Sequence, residues 1–171
     1  KKSQPQRSWD FLFEAAGPGC TYVLKTSLAL SLQQLVRGAD KSLLRVGYHD
    51  WLIYAFARAN HFPWVIDEWS SMQYRQHANN QIGVNVGWRA YWLRIRKMLS
   101  GHGFEQSLLI SDLVHSSSTP VVQQGMRGGR LGYLRLALRA KQCRRKRLDQ
   151  LWFFILCVLF AVAKPADRGG A

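Results

Sequence analysis

Acidic residues are scarce in this chain: 10 Asp and Glu stand against 24 Lys and Arg in 171 residues, a formal net charge of +14. That shortage argues against cationic partners and favours anionic ones: nucleic acid, phosphorylated substrates or an anionic membrane surface. Cysteine is sparse too. Cys20, Cys143 and Cys157 are odd in number and far apart, with no C-x-x-C or Cys/His metal spacing. This excludes a disulfide framework and a structural zinc site, and it fits a reducing compartment. No apolar run reaches membrane-spanning length, and no internal repeat is visible. The opening KKSQPQRSWDFLFEAAG has no long apolar core, so it is not a secretory signal. It also lacks an initiator Met, so the chain is expected to begin partway through a longer protein. Apolar material is not lacking: 47% hydrophobic and 12% aromatic residues supply a real core.

The local patterns alternate between apolar segments and punctuation. Gly17-Pro18-Gly19 is a turn signal, followed by strand-like Cys20 to Leu24. Thr26 or Ser27 can cap a helix running through Leu28, Leu30, Leu32, Leu35 and Val36 and ending near Gly38. Trp51 to Ala59 reads as a buried helix, apolar nearly all round, and Pro63 breaks it. Trp64 to Asp67 is strand-like. Ile82 to Leu99 has the period of an amphipathic helix, and Phe104 to Val114 of another. Ser116 to Pro120 reads as a linker and Gly125 to Gly132 as a mobile Gly/Arg-rich stretch. Leu134 to Arg147 is a basic helix candidate, and Leu151 to Ala163 is continuously apolar.

Two polar clusters sit beside these apolar segments. Asp50, in Tyr48-His49-Asp50-Trp51, has a bland reading as a helix N-cap, which the macrodipole favours. It also has a sharper reading as a general base that takes a proton from a hydroxyl. The two are compatible, because capping fixes the orientation that catalysis needs. In Tyr74-Arg75-Gln76-His77-Ala78-Asn79-Asn80, Arg75 and His77 share a face if the chain is extended. A guanidinium fork and an imidazole together suit a diphosphate or a metal–phosphate group. The plain alternative is that these side chains only satisfy backbone groups at a helix start.

The ordered series AGPGCTYVL, YHDW and YRQHANNQIG resembles the C-terminal half of bacterial family 2 glycosyltransferases, closest to rhamnosyltransferase-like members that build surface polysaccharides. The similarity covers roughly residues 11 to 100. It implies an α/β fold: a partial GT-A (Rossmann-like) sheet with flanking helices, followed by an α-helical C-terminal extension. The expected division is residues 1–100 as the acceptor-binding and catalytic half and 101–171 as a basic and apolar helical extension. The resemblance makes Asp50 the catalytic base. It puts Gly19, Cys20, Thr21, His49 and Trp51 around the acceptor, and Arg75, Gln76, His77 and Asn80 at the donor diphosphate. His77 is also a candidate metal ligand. The family reaction is an inverting transfer from a nucleotide-sugar donor to a saccharide or lipid-linked acceptor, with a divalent cation, Mg or Mn. The family's metal motif, Asp-x-Asp, does not occur in this sequence. The resemblance therefore implies that the nucleotide-binding half is missing and that this chain is inactive alone.

The tail adds a location. Lys141-Gln142-Cys143-Arg144-Arg145-Lys146-Arg147 adjoins the apolar run from Leu151. As a helix that run spans about 20 Å, short of a hydrocarbon core of roughly 30 Å. It reads either as an in-plane anchor on an anionic membrane surface or as a buried helix. The anchor corresponds to a cytoplasmic protein peripheral to the inner face of the membrane. The alternative function is a basic, non-catalytic fragment that binds nucleic acid or membrane. Nucleic acid is the disfavoured partner, since the basic residues form no recognisable nucleic-acid motif.

Overall fold

The computed structural model describes residues 3–69 and 99–163. Among these, all regular structure is helical. Two 3-10 turns, Asp10–Leu12 and Gly19–Thr21, precede α1 (Thr26–Gly38). A third, Lys41–Arg45, leads to α2 (His49–Ala59). Then follow α3 (His102–Leu113), a π-helical stretch Val121–Met126, α4 (Gly129–Leu138), short α5 (Ala140–Cys143) and α6 (Arg147–Ala163).

The expected partial GT-A sheet is corrected by this architecture, since no strand occurs among the described residues. The two strand-like segments fail for a local reason. Gly19–Thr21 winds into a 3-10 turn, with the Thr21 hydroxyl donating to the Pro18 carbonyl at 2.7 Å. Only beyond it is the backbone extended. Tyr22 then meets Trp64 edge to face, ring centroids 4.9 Å apart. Val23 and Val65 are 97% and 88% exposed. The two segments thus touch through one aromatic pair and not through a backbone ladder. Alternating composition marked them as extended but could not supply a strand partner.

Helix ends follow local signals in α2 and α3. The basic stretch expected as one helix over Leu134 to Arg147 is instead broken into the end of α4, α5 and the start of α6, and residues 82–98 of the other expected helix lie outside the described residues. α2 is buried on most sides through Trp51, Leu52, Tyr54, Ala55, Phe56 and Ala57. It stops before Pro63. His61 adopts a left-handed φ of 59°, and the Phe62 N–H returns to the Ala57 carbonyl at 2.8 Å. This pattern satisfies carbonyls the helix leaves open. α3 ends the same way, with His115 at φ 56° and Ser116 N–H on the Ser111 carbonyl at 2.8 Å.

One apolar cluster joins the N-terminal segment to the C-terminal helices. Phe13 packs on Phe104 and Phe153 with centroids 6.5 and 5.0 Å away, and Phe104 and Tyr133 each stack against Phe160 at 5.5 Å. The Gly/Arg-rich stretch expected to be mobile is instead part of this packing. Gly125 and Gly132 are buried, and a side chain at Gly132 would collide with the Gly125 carbonyl. Glycine here serves close backbone approach.

Candidate active site at the start of helix α2

α2 opens on the Y-H-D-W segment. Tyr48 is its N-cap residue and makes no side-chain cap. Its ring lies against Trp51 and His102, with centroids 6.1 and 6.3 Å away. Asp50 therefore falls inside the first turn, not at the cap. Its Oδ1 accepts the Trp51 N–H at 2.9 Å, and the carboxylate is half-buried. Among the described residues no salt bridge reaches Asp50.

The G-C-T turn lies directly over this end of the helix. A Cβ on Gly19 would sit 3.0 Å from His49 Nε2 and 3.2 Å from Asp50 Cβ. Only a residue without a side chain lets the turn come this near undisturbed. Gly19, His49 and Asp50 are thus brought together from two separate segments. Cys20, Thr21 and His49 face solvent beside them. Tyr22 closes the inner side: its hydroxyl donates to the Gly17 carbonyl at 2.9 Å and accepts the Gly17 N–H at 3.1 Å. Burial pushes that phenol up to about 12, and the Asp50 charge adds to the rise. Trp51 points the other way. Its indole is buried and donates to the Phe11 carbonyl at 2.8 Å, so it anchors the helix.

Behind the site lies a charged cluster that the sequence reading did not identify. Asp10 is fully buried. It accepts the Tyr54 hydroxyl at 2.8 Å, and it pairs with Arg58 at 3.1 Å and Arg145 at 3.4 Å. Arg145 also contacts Glu14 at 3.3 Å and donates its backbone N–H to the same carboxylate at 2.8 Å. Two carboxylates thus face two guanidinium groups, the composition a buried ionic cluster needs. Burial raises the Asp10 pKa, partly offset by the Tyr54 hydrogen bond and by Arg58 and Arg145. Burial also raises the Tyr54 phenol, and the Asp10 charge adds to that shift. The cluster ties residues 10–16, α2 and the α5–α6 junction into one unit. It thereby sets where the Gly17–Thr21 turn meets α2. A faint signal existed in the sequence: Asp10 and Glu14 flank Phe11-Leu12-Phe13, and Tyr54 and Arg58 share a helix face. Nothing distinguished Arg145 within its basic run.

Arg75, Gln76, His77 and Asn80 lie outside the described residues, and so do their expected roles at a diphosphate. Among the described residues no three His, Cys, Asp or Glu side chains are grouped to hold a metal ion. A groove of about 690 Å³ between α1 and α3 is lined by Leu35, Asp40, Arg45, Asp112 and His115 among others. It contains none of the candidate residues.

The chain is 34% identical over 158 residues to the dTDP-rhamnosyl transferase RfbG of Shigella flexneri. The match covers 92% of this chain and 54% of that protein, so the chain spans about half the length of the curated relative. No family model matches the chain. No solved structure matches it either. The resemblance to a rhamnosyltransferase-type glycosyltransferase is borne out by this relative.

Proposed function

We propose that this chain carries the acceptor-binding and catalytic-base part of an inverting family 2 glycosyltransferase of rhamnosyltransferase type, acting in surface polysaccharide biosynthesis. Residues 1–100 are assigned to that part, and 101–171 to a basic and apolar helical extension. The donor is a nucleotide sugar, and the acceptor a saccharide or a lipid-linked saccharide. The protein works in the cytoplasm, peripheral to the inner face of the membrane. One observation carries the reading: the Gly19 turn seats against His49 and Asp50, so two segments that resemble the family meet at one carboxylate.

The chemistry follows from that placement. Asp50 is half-buried and free of ion pairs among the described residues, so its charge is available. It accepts the proton of an acceptor hydroxyl as that oxygen attacks the anomeric carbon. The carbon–oxygen bond to the nucleotide diphosphate breaks from the opposite side, and the configuration inverts. His49, exposed beside Asp50, hydrogen-bonds the acceptor, while Cys20 and Thr21 form the adjoining surface. Trp51 positions Asp50 through its hold on Phe11. Arg75, Gln76, His77 and Asn80 steady the departing diphosphate. A divalent cation, Mg or Mn, belongs to the proposal, with His77 a candidate ligand; it would neutralise charge on the departing diphosphate.

The test is transfer itself. A chimera in which this chain replaces the aligned segment of the Shigella relative is supplied with a dTDP-linked rhamnosyl donor and that relative's acceptor. Product with inverted anomeric configuration is expected. Product with retained configuration, or a folded chimera that transfers nothing, contradicts the proposal.

A further inference from the structure

The outward face of α6 has no role in the site. Leu148, Leu151, Trp152, Ile155, Leu159 and Val162 recur at the spacing of a single helical stripe, and all are exposed, Leu151 by 53% and Val162 by 74%. On the opposite side Phe153, Cys157, Phe160 and Ala161 are buried in the core. A surface helix ordinarily turns polar residues outward. Beyond Gln150, α6 has none to turn. An apolar stripe of this length left in water marks a docking surface.

Charge identifies the occupant. Residues 127–163 hold nine Lys and Arg and one acid, Asp149; Arg145 is already paired inside with Asp10 and Glu14, and Arg127 with Asp112, which leaves seven outside these pairs. Lys141, Lys146 and Arg147 are exposed at the end of the helix where the stripe begins. A second copy would bring another +14 against this surface. A bilayer containing anionic lipid would neutralise the basic residues and bury the stripe together. No helix among the described residues is long and apolar enough to cross a membrane. A helix whose inner face is held by the protein and whose outer face is apolar suits the interfacial plane.

We infer that the outward face of α6 docks in plane on an anionic lipid bilayer. Its apolar stripe enters the headgroup–acyl boundary, and Lys141, Lys146 and Arg147 meet lipid phosphates. This rests on the membrane-peripheral part of the proposed function and is independent of the transfer step. Its test reads lipid binding alone, so either idea can fail without the other.

The full chain is sedimented with phosphatidylcholine vesicles, and with the same vesicles carrying about 30% phosphatidylglycerol, an anionic fraction large enough to attract basic segments. The anionic vesicles should pellet at least about tenfold more protein at low salt. Charge reversal by Lys146→Glu with Arg147→Glu should remove most of that preference. Ile155→Asp with Leu159→Asp should reduce pelleting on both vesicle types about tenfold or more, with helical content by circular dichroism unchanged. Because the two pairs alter different features, misfolding of one leaves the other decisive. Equal pelleting on both vesicle types overturns the inference. So does undiminished binding of either folded variant. A stripe variant that dissociates a dimer without changing lipid binding would mark the face as an interface between copies, and it too overturns the inference.

Discussion

Asp10 and Asp50 are both carboxylates that touch the same helix, yet their surroundings differ. Asp10 lies within the fold, against the middle of α2, with Tyr54, Arg58 and Arg145 around it. Asp50 lies in the first turn of that helix, half-buried, with one backbone N–H on its oxygen. At Asp10 the charge is matched on the spot, and the chain is held together by it. At Asp50 the neighbours are a glycine placed to come near, an exposed imidazole and solvent-facing Cys20 and Thr21. The contrast separates a carboxylate that builds the structure from one that the structure presents. The first makes the second possible, because the Asp10 cluster fixes the turn that bears Gly19 relative to α2.

Breaking the buried side should have the largest effect on stability. Arg145→Ala leaves Asp10 and Glu14 in the interior without their shared partner. Loss of one member of a buried ionic set costs about 3–5 kcal/mol. A urea unfolding midpoint reads this directly. Tyr54→Phe removes one hydrogen bond to Asp10 and should cost about 1–3 kcal/mol. It also carries a pH signature. The Asp10 pKa is raised above 3.8 in the folded chain. The unfolded state therefore loses this proton first, and the associated stability is present below 3.8 and lost as pH rises through the folded value. Tyr54→Phe removes a lowering influence, so it should move this loss to higher pH. Unfolding midpoints across that range check the direction.

The presented side should be gentler on the fold. Gly19→Ala meets the exposed His49 ring, which can give way. It should cost about 1 kcal/mol or less while displacing His49 and Asp50. In a transfer-competent chimera it should weaken acceptor use while leaving the unfolding midpoint nearly unchanged. An unaltered acceptor KM and kcat would show that this close approach is irrelevant. The thiols give a smaller and independent check on the same division. Cys143 and Cys157 are buried and pushed up to about 12, first by burial, whereas Cys20 is exposed. A thiol reagent should modify Cys20 alone in the native chain and all three cysteines after denaturation.

The sequence was most readable where a short-range pattern decides the outcome. Thr26–Gly38 follows from Leu28 and Leu32 one turn apart, with a glycine to stop it. α2 and α3 were visible from apolar density and ended within a few residues of the expected positions. The sheet was misread because extended backbone is a local property, whereas a strand needs a distant partner. The Gly/Arg stretch was misread because glycine permits both mobility and close packing, and only Gly125 against Gly132 decides between them. Asp50 moved from the cap into the first turn because Tyr48, seated against Trp51 and His102, occupies the cap position. The meeting of G-C-T with H-D-W was anticipated only through the family resemblance. The Asp10–Arg145 pair joins opposite ends of the chain, and no local pattern could announce it.

The central claim concerns one carboxylate, and one comparison tests it most directly. Asp50→Asn keeps the shape and the acceptor atom for the Trp51 N–H, so the unfolding midpoint should shift by no more than about 0.5 kcal/mol. In the transfer-competent chimera kcat should fall at least about 100-fold. A folded Asp50→Asn protein that still transfers at close to the parent rate would contradict the assignment.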